Sequence, residues 1–144
     1  MNLVSYLFFK DNAAKAFDFY AHALGGKVTM KVTMGEMPGT EALPAEARDL
    51  VAHIRLEVGD AVLMGSDWCG PTPEPYPGIH GNAVSLGVDD PGEAERVFKA
   101  LSDGGQVTVP IAETSWALRF GMLIDRFGAK WMVNCNRPVA ANNA

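Results

Sequence analysis

Cysteine is scarce in this chain: of 144 residues only Cys69 and Cys135 carry a thiol. Two thiols far apart in a chain long enough to bury a core exclude a disulfide framework and a four-cysteine zinc site. The default compartment is a reducing cytoplasm. An excess of basic charge is missing too. Lys plus Arg number 12 against 17 Asp plus Glu, a net charge of −5, and no basic cluster interrupts the sequence. That balance argues against nucleic acid and against an anionic membrane surface as partners. No apolar run reaches the about 18 residues that a membrane span needs, and the opening Met1-Asn2-Leu3-Val4-Ser5 lacks the basic start of a secretory signal. What is present is ordinary for a folded soluble protein, with 48% hydrophobic and 20% charged residues. The length fits one domain, or two small repeats sharing a core.

Residues 2–9 are aromatic and apolar and predict a strand covered on both faces. Asp11 or Asn12 is placed to cap a helix whose stripe is Ala13, Phe17, Tyr20 and Leu24. Gly25-Gly26 stops it. A strand at 27–34 alternates with period two, and 35–47 reads as a loop. Leu50–Val58 and Ala61–Ser66 read as two more strands about a turn at Gly59-Asp60. Four prolines, Pro71, Pro73, Pro75 and Pro77, make 68–81 a linker or lid. A strand at 82–88 follows. Asp90, Pro91 and Glu93 then open a second helix with the stripe Ala94, Val97, Phe98 and Leu101. Gly104-Gly105 ends it. Strands near 106–113, 116–125 and 130–136 complete the pattern, and 137–144 is a frayed tail.

The halves repeat each other. At a constant offset of 79, Leu7 falls on Leu86, Asp11 on Asp90, Phe19 on Phe98, and the pair Gly25-Gly26 on Gly104-Gly105. At 68, Ala61 falls on Ala129 and Met64 on Met132. The chain is therefore expected to be an α+β protein of two βαβββ modules, 1–67 and 82–136, joined by the linker.

Several strings give these modules a family likeness. They are Asp11-Asn12-Ala13-Ala14-Lys15-Ala16-Phe17-Asp18-Phe19-Tyr20, Gly35-Glu36-Met37-Pro38, Leu63-Met64-Gly65-Ser66-Asp67, and Trp116-Ala117-Leu118-Arg119-Phe120-Gly121 followed by Asp125-Arg126-Phe127-Gly128 and Trp131. Together with the tandem βαβββ order they resemble the vicinal oxygen chelate superfamily of glyoxalases, bleomycin-resistance proteins and dioxygenases, and more specifically its PhnB-like branch. The resemblance implies curved sheets around a cleft and a homodimer. It also implies, for the superfamily's enzymes, a divalent cation held by a His or Gln on the first strand and a Glu on the last strand of each half. Counted from the helix caps, those positions are Val4, Ala83, Met64 and Met132. None supplies an imidazole or a carboxylate, so no metal and no other cofactor is expected. Some PhnB-like proteins are labelled demethylubiquinone methyltransferases, but this sequence has no glycine-rich strand-to-helix loop for a nucleotide-like methyl donor.

Strand parity sends Leu7 and Phe9 towards the helix, and Val4, Tyr6 and Phe8 to the other face. Met64 and Ser66, Ala83 and Ser85, and Met132 and Asn134 share that other face. The lining is apolar with a few neutral polar groups, which suits an uncharged or aromatic small molecule. Trp116 is placed to reach its rim, while Trp131 belongs to the helix side. On the third strand Ala52, Ile54, Leu56 and Val58 are expected on one face and His53, Arg55 and Glu57 on the other. His53 is then the candidate general base, with Glu57 as its orienting partner. Arg119 is a candidate carboxylate clamp. Cys69 has no neighbour in sequence to activate it. The leading expectation is a metal-independent small-molecule binding protein. The alternatives are a superfamily isomerase, lyase or dioxygenase with a non-standard or absent metal site, and a dimerising module without a ligand.

Overall fold

In a computed structural model describing residues 1–69 and 74–138, the chain divides into two compact units, Met1–Ile79 and His80–Ala144. Residues 70–73 of the expected linker and 139–144 of the expected tail lie outside the described residues. The first unit runs β1 (Ser5–Phe9), α1 (Ala13–Leu24), β2 (Lys27–Thr33), a 3-10 turn at Met34–Glu36, the one-turn α2 (Ala45–Arg48), β3 (Val51–Val58) and β4 (Ala61–Asp67). The second runs β5 (Val84–Val88), α3 (Pro91–Ser102), β6 (Gln106–Ala112), β7 (Ala117–Ile124) and β8 (Lys130–Asn136). Two tandem βαβββ modules are therefore present, and the α+β class holds. Several bounds differ from the sequence reading, and the strand expected from residue 82 begins at Val84. The first strand begins at Ser5 rather than at residue 2, and the 35–47 segment contains α2.

Each unit builds one four-stranded sheet, ordered β1-β4-β3-β2 and β5-β8-β7-β6. The first strand lies parallel to the last, and the other pairs are antiparallel. One face of each sheet is covered by its helix. On α1, Ala13, Ala16, Phe17, Tyr20 and Ala23 are buried, as are Leu7, Phe9, Ile54 and Leu56 of the sheet. Phe17 lies over Gly65, where an added Cβ would come within 2.8 Å of its ring. The same device recurs in the second unit, with Phe98 over Gly121. There Ala94, Val97, Phe98 and Leu101 of α3 are buried, with Leu123, Trp131 and Val133 of the sheet.

The glycine pairs do two different jobs. Gly25, with left-handed backbone at φ 70°, is the C-cap of α1, whereas α3 is capped by Asp103 in extended conformation and Gly104, φ 74°, turns the chain one residue later, which corrects the sequence expectation that the glycine pair itself ends that helix. Gly26 and Gly105 let the chain pass close to a neighbouring strand, since a Cβ on either would strike the backbone oxygen of Glu57 or of Ile124. The caps differ between the repeats. Asp90 accepts from the Glu93 amide at 2.9 Å, as its spacing predicts. Asn12 occupies the cap position of α1 but makes no side-chain cap bond, which corrects the sequence expectation. The buried carboxylate of Asp67, at the end of β4, accepts from the Ala13 amide instead at 2.8 Å, and from the Val51 amide at 2.8 Å.

One irregularity shapes the open face of the first sheet. The register of β2 on β3 steps from Val32 opposite His53 to Thr33 opposite Val51. Ala52 is thus an extra residue in β3, a β-bulge. Strict alternation placed Ala52 with Ile54 on the helix side. The bulge turns it onto the open face beside the residues described next.

Candidate functional site

Alternation in β1 leaves Tyr6 and Phe8 on the face away from α1, 38% and 45% exposed. Their ring centroids are 5.0 Å apart. The polypeptide after β4 folds back over them. The Trp68 amide donates to the Phe9 carbonyl at 2.6 Å, and the Tyr76 hydroxyl donates to the Phe8 carbonyl at 2.6 Å. Trp68 meets Phe8 edge-on at 5.6 Å and Tyr76 at 6.0 Å. The 3-10 turn after β2 brings Met34, and the residue after it Met37, to the same place. Between these groups lies a hollow of about 440 Å³, within the size range of small-molecule sites. Rings and thioethers of Tyr6, Phe8, Trp68, Met34 and Met37 line it. Ala52, Ser66, Asp67 and Cys69 complete the lining.

His53 reaches this site through Tyr6. Strand β4 separates β1 from β3, so the Tyr6 side chain must cross about 10 Å of sheet to meet β3. It does so, and its hydroxyl lies 3.1 Å from His53 Nδ1. The two rings stack with centroids 5.7 Å apart, inclined by 27°. Glu57 is not the partner of His53, which corrects the sequence expectation. It pairs with Arg55 at 3.1 Å on the same strand. Arg55 has the flexible reach to draw Glu57 away, whereas a rigid imidazole two rungs off does not.

Cys69 is a poor nucleophile. Partial burial, and secondarily the Asp67 charge, raise its thiol pKa above the ordinary value. Its sulfur lies within donor reach of the carbonyls of Asp67 and Val51, at 3.4 and 3.6 Å.

The other expected site residues are distributed as follows. Tyr6 and Ser66 share the hollow. Val4 and Met64 border a separate, more polar depression of about 680 Å³ with Arg55, Glu57 and Asp60. In the second unit Ser85 stands opposite Met132 and Gly87 opposite Asn134, the rungs that correspond to Tyr6–Met64 and Phe8–Ser66. Ala83 precedes β5 and is exposed. Trp116 is 61% exposed and touches Phe120 edge-on at 5.7 Å. Trp131 is buried on the helix side as expected, with its indole N–H donating to Asp125 at 2.8 Å. Arg119 donates to Glu95 at 2.8 Å, so its fork is engaged in a surface ion pair. Met34, Met37, Ala52 and Trp68 were not picked out from the sequence as binding residues. The readable signal for Trp68 was its position directly after β4, beside the aromatic open face of β1.

The donor set does not fit a divalent cation. The superfamily's ligand positions hold the hydrocarbon side chains of Val4 and Ala83 and the soft thioethers of Met64 and Met132. Among the described residues, no three His, Cys, Asp or Glu side chains come together.

Tandem βαβββ units, each with a helix on one sheet face and the other face open, define the glyoxalase/bleomycin-resistance class of fold. The chain belongs to the Glyoxalase/Bleomycin resistance protein/Dioxygenase superfamily, whose family model matches residues 2–133. It is 30% identical over 142 residues to Protein YjdN of Escherichia coli (strain K12), covering 93% of this chain and 95% of that one. The crystal structure of protein PA1353 from Pseudomonas aeruginosa is similar at 43% identity and a TM-score of 0.84, covering 96% of this chain and 99% of that one. A Bacillus cereus structure titled putative 3-demethylubiquinone-9 3-methyltransferase, PhnB protein, has a TM-score of 0.72 over 94% of this chain and 99% of that one. At 16% identity it shares the fold alone.

Proposed function

We propose that this chain is a PhnB-like member of the superfamily that binds a small uncharged apolar or aromatic molecule, without a metal, in the hollow of its first unit. The observation that carries this reading is the hollow's lining of three aromatic rings and two thioethers about a few neutral polar atoms. Such a surface rewards the burial of a flat apolar ligand at roughly 25 cal/mol per Å² of apolar area and offers it aromatic contacts. The remaining expected binding residues, Val4, Met64, Ala83, Ser85, Trp116, Met132 and Asn134, belong to the open faces around or equivalent to this one. They are secondary sites in the same proposal, as is assembly into a homodimer in the cytoplasm.

A thermal-shift screen of uncharged aromatic compounds tests it. A ligand at 100 times its Kd adds about 2.7 kcal/mol to the native state. The same compound should slow alkylation of Cys69, which lines the hollow. Phe8→Ala should abolish both signals. If no compound shifts melting or protects Cys69, the reading fails.

The second reading, a superfamily enzyme, has one observation in its favour, the Tyr6–His53 hydrogen bond at the hollow's edge. A phenol held against an imidazole is a plausible metal-free acid–base pair. Conversion of a bound compound, lost in His53→Gln with binding kept, would move the assignment to that reading.

A further inference from the structure

Among the described residues, every side-chain hydrogen-bond donor lining the hollow has a partner. The Trp68 indole N–H donates to the Glu74 carbonyl at 2.8 Å. The Ser66 hydroxyl donates to the Asp67 carbonyl at 3.0 Å. The Cys69 thiol faces two carbonyls. For Tyr6 and His53 the direction follows from their chemistry. A phenol is a stronger acid than a neutral imidazole N–H, and an imidazole nitrogen a stronger base than a phenol oxygen. We therefore assign the hydrogen of the pair to Tyr6, pointing at Nδ1, with His53 as the tautomer protonated on Nε2. The atoms left to face a ligand are acceptors: the oxygen lone pairs of Tyr6 and Ser66 and the thioether sulfurs of Met34 and Met37. Among the described residues, no lysine or arginine lines the hollow.

We propose that the hollow selects aromatic molecules that carry a hydrogen-bond donor, such as phenols, with Tyr6 as the specificity-determining residue and His53 as the residue that fixes its polarity. This rests on the binding reading above and sharpens it. An acceptor-only isostere brings its lone pairs against those of Tyr6, and a carboxylate also finds no cation among the described lining residues. Both lose a partner in water and gain none in the site.

The test is a matched series, 2-naphthol, 2-methoxynaphthalene and 2-naphthoate, titrated into the full chain at about pH 8, where imidazoles are generally neutral. Binding is read by calorimetry and its place by protection of Cys69 from alkylation. We expect 2-naphthol to bind about tenfold more tightly than its methyl ether, and 2-naphthoate not at all. Tyr6→Phe should bring the two neutral probes to within about twofold. His53→Leu frees the Tyr6 hydrogen to donate, so it should erase or reverse the preference. His53→Gln retains an acceptor and should keep it. These side chains lie on the open face, away from the α1 core, so the variants test specificity rather than folding. If naphthol and its ether protect Cys69 equally well in the wild type, the specificity proposal is overturned while the binding reading stands. If no probe binds or protects Cys69, both fall together.

Discussion

At the scale of single residues, the most consequential side chain for the fold is that of Asp67. Its carboxylate satisfies the first amide of α1 and the first amide of β3 at the same time, in a buried place. Asp67→Ala leaves both donors without a partner and should destabilise the fold by about 2–4 kcal/mol, read as a lower denaturation midpoint. Asn12→Ala, at the nominal cap, should cost under about 0.5 kcal/mol, because that side chain makes no cap bond. Equal losses in the two variants would refute this account of the cap. Cys69 gives a second prediction. With its pKa raised, less of it is thiolate at any given pH. Iodoacetamide should therefore modify it more slowly than a free thiol near pH 8, and the rate should go on rising above pH 9. Cys135 is fully buried and should react only on unfolding.

At the scale of elements, the sequence was most readable where local chemistry decides the structure. Asp90-Pro91 and Glu93 announced α3, and the helical stripes named the core residues, because a cap and a 3.6-residue period act within one turn. What acts across the chain was hidden. The cap of α1 comes from a residue more than fifty positions away, and the Ala52 bulge depends on how β2 and β3 settle their register. The first glycine pair was legible as a helix stop, but only the structure separates the roles of its two members. Gly25→Ala should cost about 1 kcal/mol for its left-handed backbone. Gly26→Ala should cost clearly more, since its Cβ would lie 2.6 Å from the Glu57 oxygen. Equilibrium urea unfolding of the pair distinguishes them. The candidate site was half legible for the same reason. Parity placed Tyr6 and Ser66 correctly. The cover formed by Trp68, Met34 and Met37 comes from irregular backbone that carries no period.

At the scale of the whole molecule, the repeat was the strongest sequence signal, and both units share one topology, one helix-bearing sheet face and one glycine device. Among the described residues no helix is long and apolar enough to cross a membrane. The same scale carries the metal question. With Val4, Ala83, Met64 and Met132 at the family's ligand positions, protein purified without chelators and then dialysed should retain no stoichiometric zinc, nickel, iron or manganese. Elemental analysis decides it, and one retained ion per chain would undo the metal-free assignment. Sedimentation should give twice the monomer mass if the proposed homodimer forms.

The two modules differ on their open faces where one carries Tyr6 and Phe8 and its twin carries Ser85 and Gly87. Nothing among the described residues lies within 4 Å of a Cβ built on Gly87, so crowding does not keep that rung bare. Grafting Ser85→Tyr with Gly87→Phe asks whether the plain copy can accept the aromatic floor of its sibling.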